Sequence, residues 1–263
     1  MVGSFAFIYI FAESVLFISM KRIVICALAI LMAVSCKGLL GVDETQRDWT
    51  VDGNTMTWGE HRYTISGELA ALKYDKDGVL LSPLPTSPTA WVTFTSNPEG
   101  YNEFSTVYMQ FLGNTPAGAA AMIPMAMEIY GRNRATGERC LNLLCGTQSN
   151  AESIIRELYS KMFRSSYSPA EDYYVQRYLP AALLKGARAE NAYTPDEPYT
   201  VQMMPSATRS QGDYYYLNIY AEGWDTVQRG VELKAVGERF IVSNCPSCYS
   251  QCKVIKGEWS GIR

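Results

Sequence analysis

The spacing of apolar and polar residues predicts short strands over Trp49–Thr95. Segments such as Arg62–Ser66 and Trp91–Thr95 alternate apolar and polar side chains, which is the two-residue period of a half-buried strand. Turn-forming residues separate these segments, for example Asp75–Gly78. The region therefore predicts a small antiparallel sheet. The expected strands are Thr55–Trp58, Arg62–Ser66, Leu69–Tyr74, Val79–Leu81 and Trp91–Thr95.

The middle of the chain has the start signals and spacing of helices. Thr115 suits the N-cap of a helix and Pro116 its first residue, and the Ala- and Met-rich run Ala117–Tyr130 follows. Pro124 has no N–H to donate, so we expect a kink there or two short helices. Ser149 begins a capping box, which predicts the start of another helix. These central helices follow the expected sheet in the chain.

Four more alternating segments close the chain. Short turn signals separate the last three, at Gly212-Asp213, Gly223 and Gly237-Glu238, and short turns join antiparallel neighbours. The order of elements predicts an α+β fold with a small N-terminal antiparallel sheet, central helices and a C-terminal four-stranded antiparallel meander. A boundary near 146–149 would give two subdomains, and one continuous domain is the alternative. The expected strands are Tyr199–Met204, Tyr214–Ala221, Val227–Val236 and Arg239–Ser243.

The segment Met20–Cys36 has a different pattern, because two cations precede an unbroken apolar run. Lys21 and Arg22 form a charged n-region, and Ile23–Val34 is an h-region too short to span a bilayer comfortably. This pattern predicts a secretory signal peptide. The residues that end it, Ala33-Val34-Ser35-Cys36, resemble a bacterial lipobox, which implies cleavage before Cys36 and acylation of that cysteine.

The resemblance to a lipobox divides the chain into three parts. Residues 1–35 would be the signal peptide, 36–48 a lipidated tether and 49–263 the globular region. An alternative is an ordinary signal-anchor helix in which Cys36 is incidental. Residues 1–19 are also apolar, so they either form a helical hairpin with the next segment or lie upstream of a true start at Met20.

Composition and charge narrow the classes of function. The chain is 48% hydrophobic and 19% charged, as expected of a globular protein, and its net charge of −3 gives no basic field for nucleic acid. The chain contains one histidine, His61, which excludes multi-histidine metal sites. The pattern places His61 in a hairpin turn, where we expect it to be exposed and inert. No cofactor or metal is predicted.

Five cysteines follow Cys36 in the chain. Cys245 and Cys248 have the CxxC spacing of thiol–disulfide exchange, with Cys252 close by. The alternatives are a structural disulfide or free buried thiols. A further alternative is a zinc site that pairs Cys140 and Cys145 with Cys245 and Cys248, if the fold brings the two pairs together.

Aromatic residues near the C-terminus predict a ligand platform. Tyr214 and Tyr216 share one face of an expected strand, and Trp224 and Asp225 follow at a turn. Exposed rings beside carboxylates suit a sugar or a peptide, whereas packing of the tyrosines on the sheet is the alternative. Glu222 and Asp225 are three residues apart, a spacing more typical of solvated side chains than of a glycosidase pair.

Four longer stretches of the chain carry a resemblance to known sequences. They are FLGNTPAGAAAM (Phe111–Met122), RYLPAALLKGA (Arg177–Ala187), NAYTPDEPYTV (Asn191–Val201) and GWDTVQR (Gly223–Arg229). These stretches resemble an uncharacterised lipoprotein family of gut-dwelling Gram-negative bacteria. The resemblance runs from about Trp49 to the C-terminus and implies an exported lipoprotein with no known activity. The order of helices and meander also resembles the cystatin-like and nuclear-transport-factor-like α+β folds.

These patterns predict an envelope lipoprotein that acts as a non-enzymatic binding or interaction module. We expect a lipid anchor in the outer membrane that faces the periplasm, with surface display left open because Lys37-Gly38-Leu39-Leu40 contains no acidic residue. Expected partners are the membrane, through the N-terminal lipid, and an envelope protein or a saccharide or peptide ligand. The alternatives are an envelope enzyme, either a thiol oxidoreductase or a hydrolase, and a structural assembly subunit.

Overall fold

The computed structural model describes residues 49–163 and 175–255, apart from the side chains of residues 148 and 149. The chain divides into two units, Met1–Arg47 and Asp48–Arg263, and only the second contains described residues. The predicted signal peptide, the acylated Cys36 and the tether 36–48 therefore lie outside the described residues. Among the helices described, none is both long enough and apolar enough to cross a membrane.

Within the described residues, eight antiparallel strands form one sheet in which spatial order follows chain order. The α+β fold class is confirmed, with strands first, helices in the middle and a C-terminal meander. The two strand regions are continuous, because β4 pairs with β5 from Ala90 opposite Met203 to Phe94 opposite Tyr199. The strands are β1 Trp49–Asp52, β2 Thr55–Trp58, β3 His61–Gly67, β4 Ala90–Phe94, β5 Tyr199–Pro205, β6 Tyr214–Tyr220, β7 Gln228–Val236 and β8 Arg239–Asn244.

Four α-helices are described between β4 and the second group of strands. Helix α2 begins as predicted, with Thr115 accepting a hydrogen bond from the Gly118 N–H, but it runs unbroken through Pro124. The expectation of two short helices is wrong, because nearly the whole of α2 is buried and tertiary packing offsets the local cost of proline, about 3 kcal/mol. The helices are α1 Tyr101–Gln110, α2 Pro116–Arg132, α3 Arg134–Cys145 and α4 Gln148–Met162.

Three local predictions fail in detail. Helix α4 begins at Gln148 with Thr147 as its N-cap, not at the capping box of Ser149. The segments Leu69–Tyr74 and Val79–Leu81 are not strands, since their one pairing is an isolated bridge between Tyr74 and Leu80. Most side chains in these two segments are partly or fully exposed, so little burial stabilises a strand there.

The core lies between the helices and one face of the sheet. Helix α2 contacts β4, β6, β7 and β8, and its residues share one buried cluster with Val92, Met203, Ile219 and Leu233 of the strands. Close approach of α2 and α3 requires glycine at position 137, because a Cβ there would lie 2.2 Å from the Tyr130 Cα. The central helix is therefore fixed against the sheet.

The strand register defines two ends of the sheet. Gly67, Pro205 and the beginning of β6 lie at one end, which we call the pocket end. His61 and Tyr199 lie at the opposite end, which we call the histidine end. The candidate functional groups lie in two separate places, one at each end of the sheet.

Candidate functional site

A cavity of about 580 Å³ opens at the pocket end of the sheet. Its volume falls within the range of small-molecule binding sites, roughly 300–1,000 Å³. Of the described lining residues, one group is aliphatic, and the other carries hydroxyl groups and a single charged side chain. The aliphatic residues are Leu69, Ala70, Ala71, Leu72, Pro116, Pro205 and Leu217, and the others are Tyr74, Ser206, Thr208, Arg209, Ser210, Tyr215 and Tyr216.

The connection between β5 and β6 is held in shape by local hydrogen bonds. The Thr208 N–H donates to Ser206 Oγ over 3.2 Å, and the Tyr216 N–H donates to Ser210 Oγ over 3.2 Å. Gln211 and Tyr214 exchange two backbone hydrogen bonds. These bonds hold the loop whose residue Arg209 lines the cavity.

Aromatic rings and one guanidinium give the cavity its chemistry. The guanidinium carbon of Arg209 lies 5.8 Å from the centre of the Tyr74 ring, within the range of a cation–π contact. The Tyr215 ring meets Phe240 edge to face, with centroids 4.9 Å apart. Because Tyr215 is also 36% exposed, its ring is fixed on one side by the core and open to a ligand on the other.

The structure separates the four residues predicted to form a platform. Tyr216 lines the cavity, whereas Tyr214 lies beside it with the Lys234 ammonium over its ring at 5.6 Å. Trp224 is buried and donates its indole N–H to the Ser250 carbonyl. Asp225 is 95% exposed and its carboxylate pairs with a lysine. Since β6 runs the length of the sheet, Tyr216 and Trp224 lie toward opposite ends.

The two acidic residues at the β6–β7 turn do not form a catalytic pair. Glu222 lies 3.7 Å from Arg188, and Asp225 lies 3.3 Å from Lys253. Each carboxylate therefore faces a separate cation near the surface, as solvated side chains do.

A buried carboxylate organises the histidine end. Glu103, in the first turn of α1, is 3% exposed, and its Oε1 accepts hydrogen bonds from His61 Nδ1 over 2.5 Å and from the Tyr63 hydroxyl over 2.8 Å. Its Oε2 accepts the Glu99 N–H over 2.8 Å. Three donors thus satisfy this carboxylate, as burial of a charge requires.

The expectation that His61 is an exposed turn residue is wrong. The turn consists of Gly59 and Glu60 alone, and His61 is the first residue of β3, with 18% of its side chain exposed. Helix α1, which supplies Glu103, was not predicted, so no local pattern pairs these two residues, which are 42 positions apart. The pKa of Tyr63 is raised, first by burial and then by the charge of Glu103, so its hydroxyl stays a donor.

A second buried acid extends the histidine end. Both carboxylate oxygens of Glu128 accept from Arg132 Nε, over 2.7 and 2.8 Å. Arg132 also donates to the carbonyls of Pro98 and Glu99, which ties α2 to the loop before α1. Burial raises the pKa of Glu128, and the hydrogen bond and charge of Arg132 oppose that shift.

The CxxC motif is buried and its chemistry is unfavourable for exchange. Cys245 precedes a short 3₁₀ helix, Pro246–Tyr249, and both Cys245 and Cys248 are free and almost fully buried. A hydrogen bond to Cys248, together with burial, raises the pKa of Cys245 well above its ordinary value. Thiol exchange needs an accessible thiol with a lowered pKa, which is the opposite condition.

The other three thiols are also buried. Burial raises the pKa of Cys140, Cys145 and Cys252 to about 12 in each case. Cys252 lies in separate surroundings, where its backbone N–H and C=O bond to the side-chain amide of Gln176.

The zinc alternative is contradicted, since no three His, Cys, Asp or Glu side chains within 49–163 and 175–255 are grouped to hold a metal ion. Cys140 and Cys145 are five residues apart on α3, which places them about 140° apart around the helix axis. Electrostatic interaction with Cys145 helps to raise the pKa of Cys245, whereas the charges that act on Cys140 are those of Arg139 and Arg132. Cys145 therefore approaches Cys245, but Cys140 does not join them.

The comparisons with known proteins identify a family without an assigned activity. No curated protein and no solved structure matches the chain. A family model described as "Domain of unknown function (DUF6935)" matches residues 96–256, which is more than half of the chain. The match includes Glu103, Arg209 and Tyr216 and begins after β4. The predicted resemblance to an uncharacterised domain is confirmed, and the chain belongs to this family of unknown function.

Proposed function

We propose that the chain is an exported, lipid-anchored binding module whose ligand occupies the cavity at the pocket end. The observation that carries this proposal is the cavity of about 580 Å³, which combines three tyrosine rings with the exposed Arg209. A concave site with an apolar wall and a few polar groups is the common form of a small-molecule site. Binding without catalysis is favoured because the described residues of the cavity wall include no acid, histidine or cysteine.

The lining favours a saccharide over an extended peptide. Six of the lining side chains carry a hydroxyl group, which both donates and accepts hydrogen bonds as sugar hydroxyls do. The tyrosine rings and the aliphatic wall suit the C–H faces of a sugar ring. A peptide that bound by strand addition would need free N–H groups, and Pro116 and Pro205 in the wall have none.

The N-terminal pattern supports a location in the cell envelope. Lys21 and Arg22 before the apolar run, and Cys36 after it, are the features of a lipoprotein signal. The proposed anchor lies in the outer membrane and faces the periplasm, and the membrane is a partner through the lipid. Several acyl chains are needed for stable attachment, because each buried CH₂ contributes only about 0.8 kcal/mol.

Binding can be tested on the full chain purified in detergent. A panel of neutral and acidic oligosaccharides and peptides would be measured by calorimetry against wild type, Tyr216→Ala and Tyr214→Ala. Tyr214 is a matched control, since it lies on the same strand and does not line the cavity. We expect Tyr216→Ala to weaken saccharide binding at least about ten-fold, which is about 1.4 kcal/mol, and Tyr214→Ala to change it little. Equal losses in both variants, or no binding to any compound, would reject the proposal.

The anchor is tested separately in cells. Cys36→Ser should abolish incorporation of labelled palmitate and release the protein from the membrane fraction or leave it unprocessed. Normal processing and sedimentation with membranes in this variant, together with palmitate incorporation, would show that the lipoprotein assignment is wrong.

A hydrolase is the second candidate, and the contact between His61 and Glu103 favours it because a carboxylate often orients a catalytic histidine. No serine, threonine or cysteine among the described residues hydrogen-bonds to His61. The hydrolase candidate would be established if the wild-type protein hydrolyses an ester or glycoside substrate and the His61→Gln variant does not.

A structural assembly subunit is tested separately by crosslinking of cell envelopes with mass spectrometry. An assembly subunit requires a stoichiometric protein partner, which this experiment would reveal.

A further inference from the structure

We infer that the ligand of the cavity is an anionic saccharide, with its carboxylate or sulfate bound by Arg209 and its ring against the tyrosines. This inference rests on the proposed function and specifies the ligand class for the same site. Its first support is charge. Among the described residues that line the cavity, Arg209 is the one charged side chain, and none is an aspartate or a glutamate. The net charge of the chain is −3, so the guanidinium at the cavity is not part of a general excess of positive charge.

The second support is that Arg209 has no carboxylate partner among the described residues. Its guanidinium lies over the Tyr74 ring and makes no hydrogen bond or ion pair with a described residue, which leaves its N–H groups available. Other arginines use theirs within the protein: Arg132 binds Glu128, and Arg229 donates to Thr226. A guanidinium offers parallel N–H groups that match the two oxygens of a carboxylate or a sulfate.

The third support is the position of the cation beside hydroxyl groups and rings. Arg209 lies between Thr208 and Ser210, and all three side chains are exposed at the rim of the cavity. Tyr74 and Tyr216 belong to the same wall. A ligand with an acidic group on a hydroxyl-rich ring would contact these groups together, whereas a neutral sugar would leave the guanidinium without a partner.

The inference can be tested by calorimetry on the full chain in detergent with matched probes. The probes are a trimer of galacturonic acid, a sulfated galactose trimer, a neutral galactose trimer and an acidic tripeptide. We expect one of the two anionic sugars to bind at least about ten-fold more tightly than the neutral trimer at low salt, and this preference to shrink as salt screens the contact. The tighter of the two identifies carboxylate or sulfate as the anion.

Variants assign the preference to Arg209. Arg209→Gln should remove the preference for the anionic sugar while retaining weak binding of the neutral one. Arg209→Lys should keep part of the preference, because a lysine retains the charge without the planar donor pair. Arg62→Gln is the control, since Arg62 is an exposed arginine at the histidine end.

The possible outcomes distinguish the inference from the proposed function. The inference would be overturned if neutral and anionic sugars bind equally and Arg209→Gln does not change their affinity. If Tyr216→Ala still weakens binding in that case, the proposed binding module stands. Tighter binding of the acidic tripeptide than of either anionic sugar would overturn the saccharide assignment. Absence of binding by every probe, with no effect of Tyr216→Ala, would reject both proposals.

Discussion

The two ends of the sheet use charged side chains in opposite ways. At the histidine end, Glu103 is buried and three protein donors satisfy its carboxylate. At the pocket end, Arg209 is exposed and its described neighbours include no carboxylate. A buried charge must be paired within the fold, whereas an exposed charge can stay available for a ligand. The difference indicates that the charges at the histidine end are paired for stability, and it supports the proposed binding role of the pocket end.

We expect the largest fall in the free energy of unfolding when the buried carboxylate of Glu103 is removed. Glu103→Ala leaves the Tyr63 hydroxyl, the Glu99 N–H and His61 without their acceptor, so we expect the free energy of unfolding to fall by about 3–5 kcal/mol. Urea unfolding measures this change. Glu60→Ala, in the exposed turn before β3, is the control and should change the free energy by less than about 0.5 kcal/mol. A loss as small as that of the control would show that the histidine end is not a stability centre.

We expect a smaller fall in the free energy of unfolding when only the Tyr63 hydroxyl, one of the donors to Glu103, is removed. Tyr63→Phe keeps the ring and removes the hydrogen bond to the carboxylate, which should cost about 1.5–3 kcal/mol. Tyr130→Phe is a matched control in the core, where the ring packs edge to face against Phe163. Chemical denaturation of the two variants side by side would sharpen the comparison, and equal stabilities would remove Tyr63 from the account.

The buried Glu128 at the histidine end should make the stability of the folded protein depend on pH. Because burial raises its pKa in the folded state, the folded protein holds this proton to a higher pH than the unfolded chain does. The stability of wild type relative to Glu128→Gln should therefore decline as pH rises above about 4.3, the ordinary value for a glutamate, until the raised pKa is passed. Unfolding curves of both proteins across this window measure the difference. A relative stability that rises with pH would mean that Arg132 outweighs burial.

The smallest expected effect on stability is at the pocket end. Arg209→Gln removes an exposed charge without a carboxylate partner among the described residues, so we expect a change in the free energy of unfolding within about 0.5 kcal/mol. Thermal unfolding of the variant checks this. A clear destabilisation would show that Arg209 is structural, and the contrast between the two ends would then fail.

The sequence alone predicted those helices and strands whose start, end or spacing is set by neighbouring residues. The Thr115–Pro116 start of α2 and the four C-terminal strands were predicted because caps, turns and alternation determine them. Helix α1 was missed, since its N-cap Gly100 makes no side-chain hydrogen bond that a sequence pattern would reveal.

The candidate sites depend on residues far apart in the chain, which a single sequence does not pair. The cavity joins the segment of Tyr74 to the β5–β6 connection more than a hundred residues later, and neither shows a motif. The predicted platform was only partly located, because the length of β6 separates Tyr216 from Trp224. His61 could be interpreted only once Glu103 was placed beside it.

Hydrogen–deuterium exchange of the full chain, with and without the galacturonic acid trimer, tests the central claim most directly. If the pocket end binds the ligand, added trimer should slow exchange at Leu69–Tyr74 and at 206–217 and leave exchange at His61–Tyr63 and at 99–103 unchanged. Slower exchange at the histidine end with no change around the cavity would contradict the account.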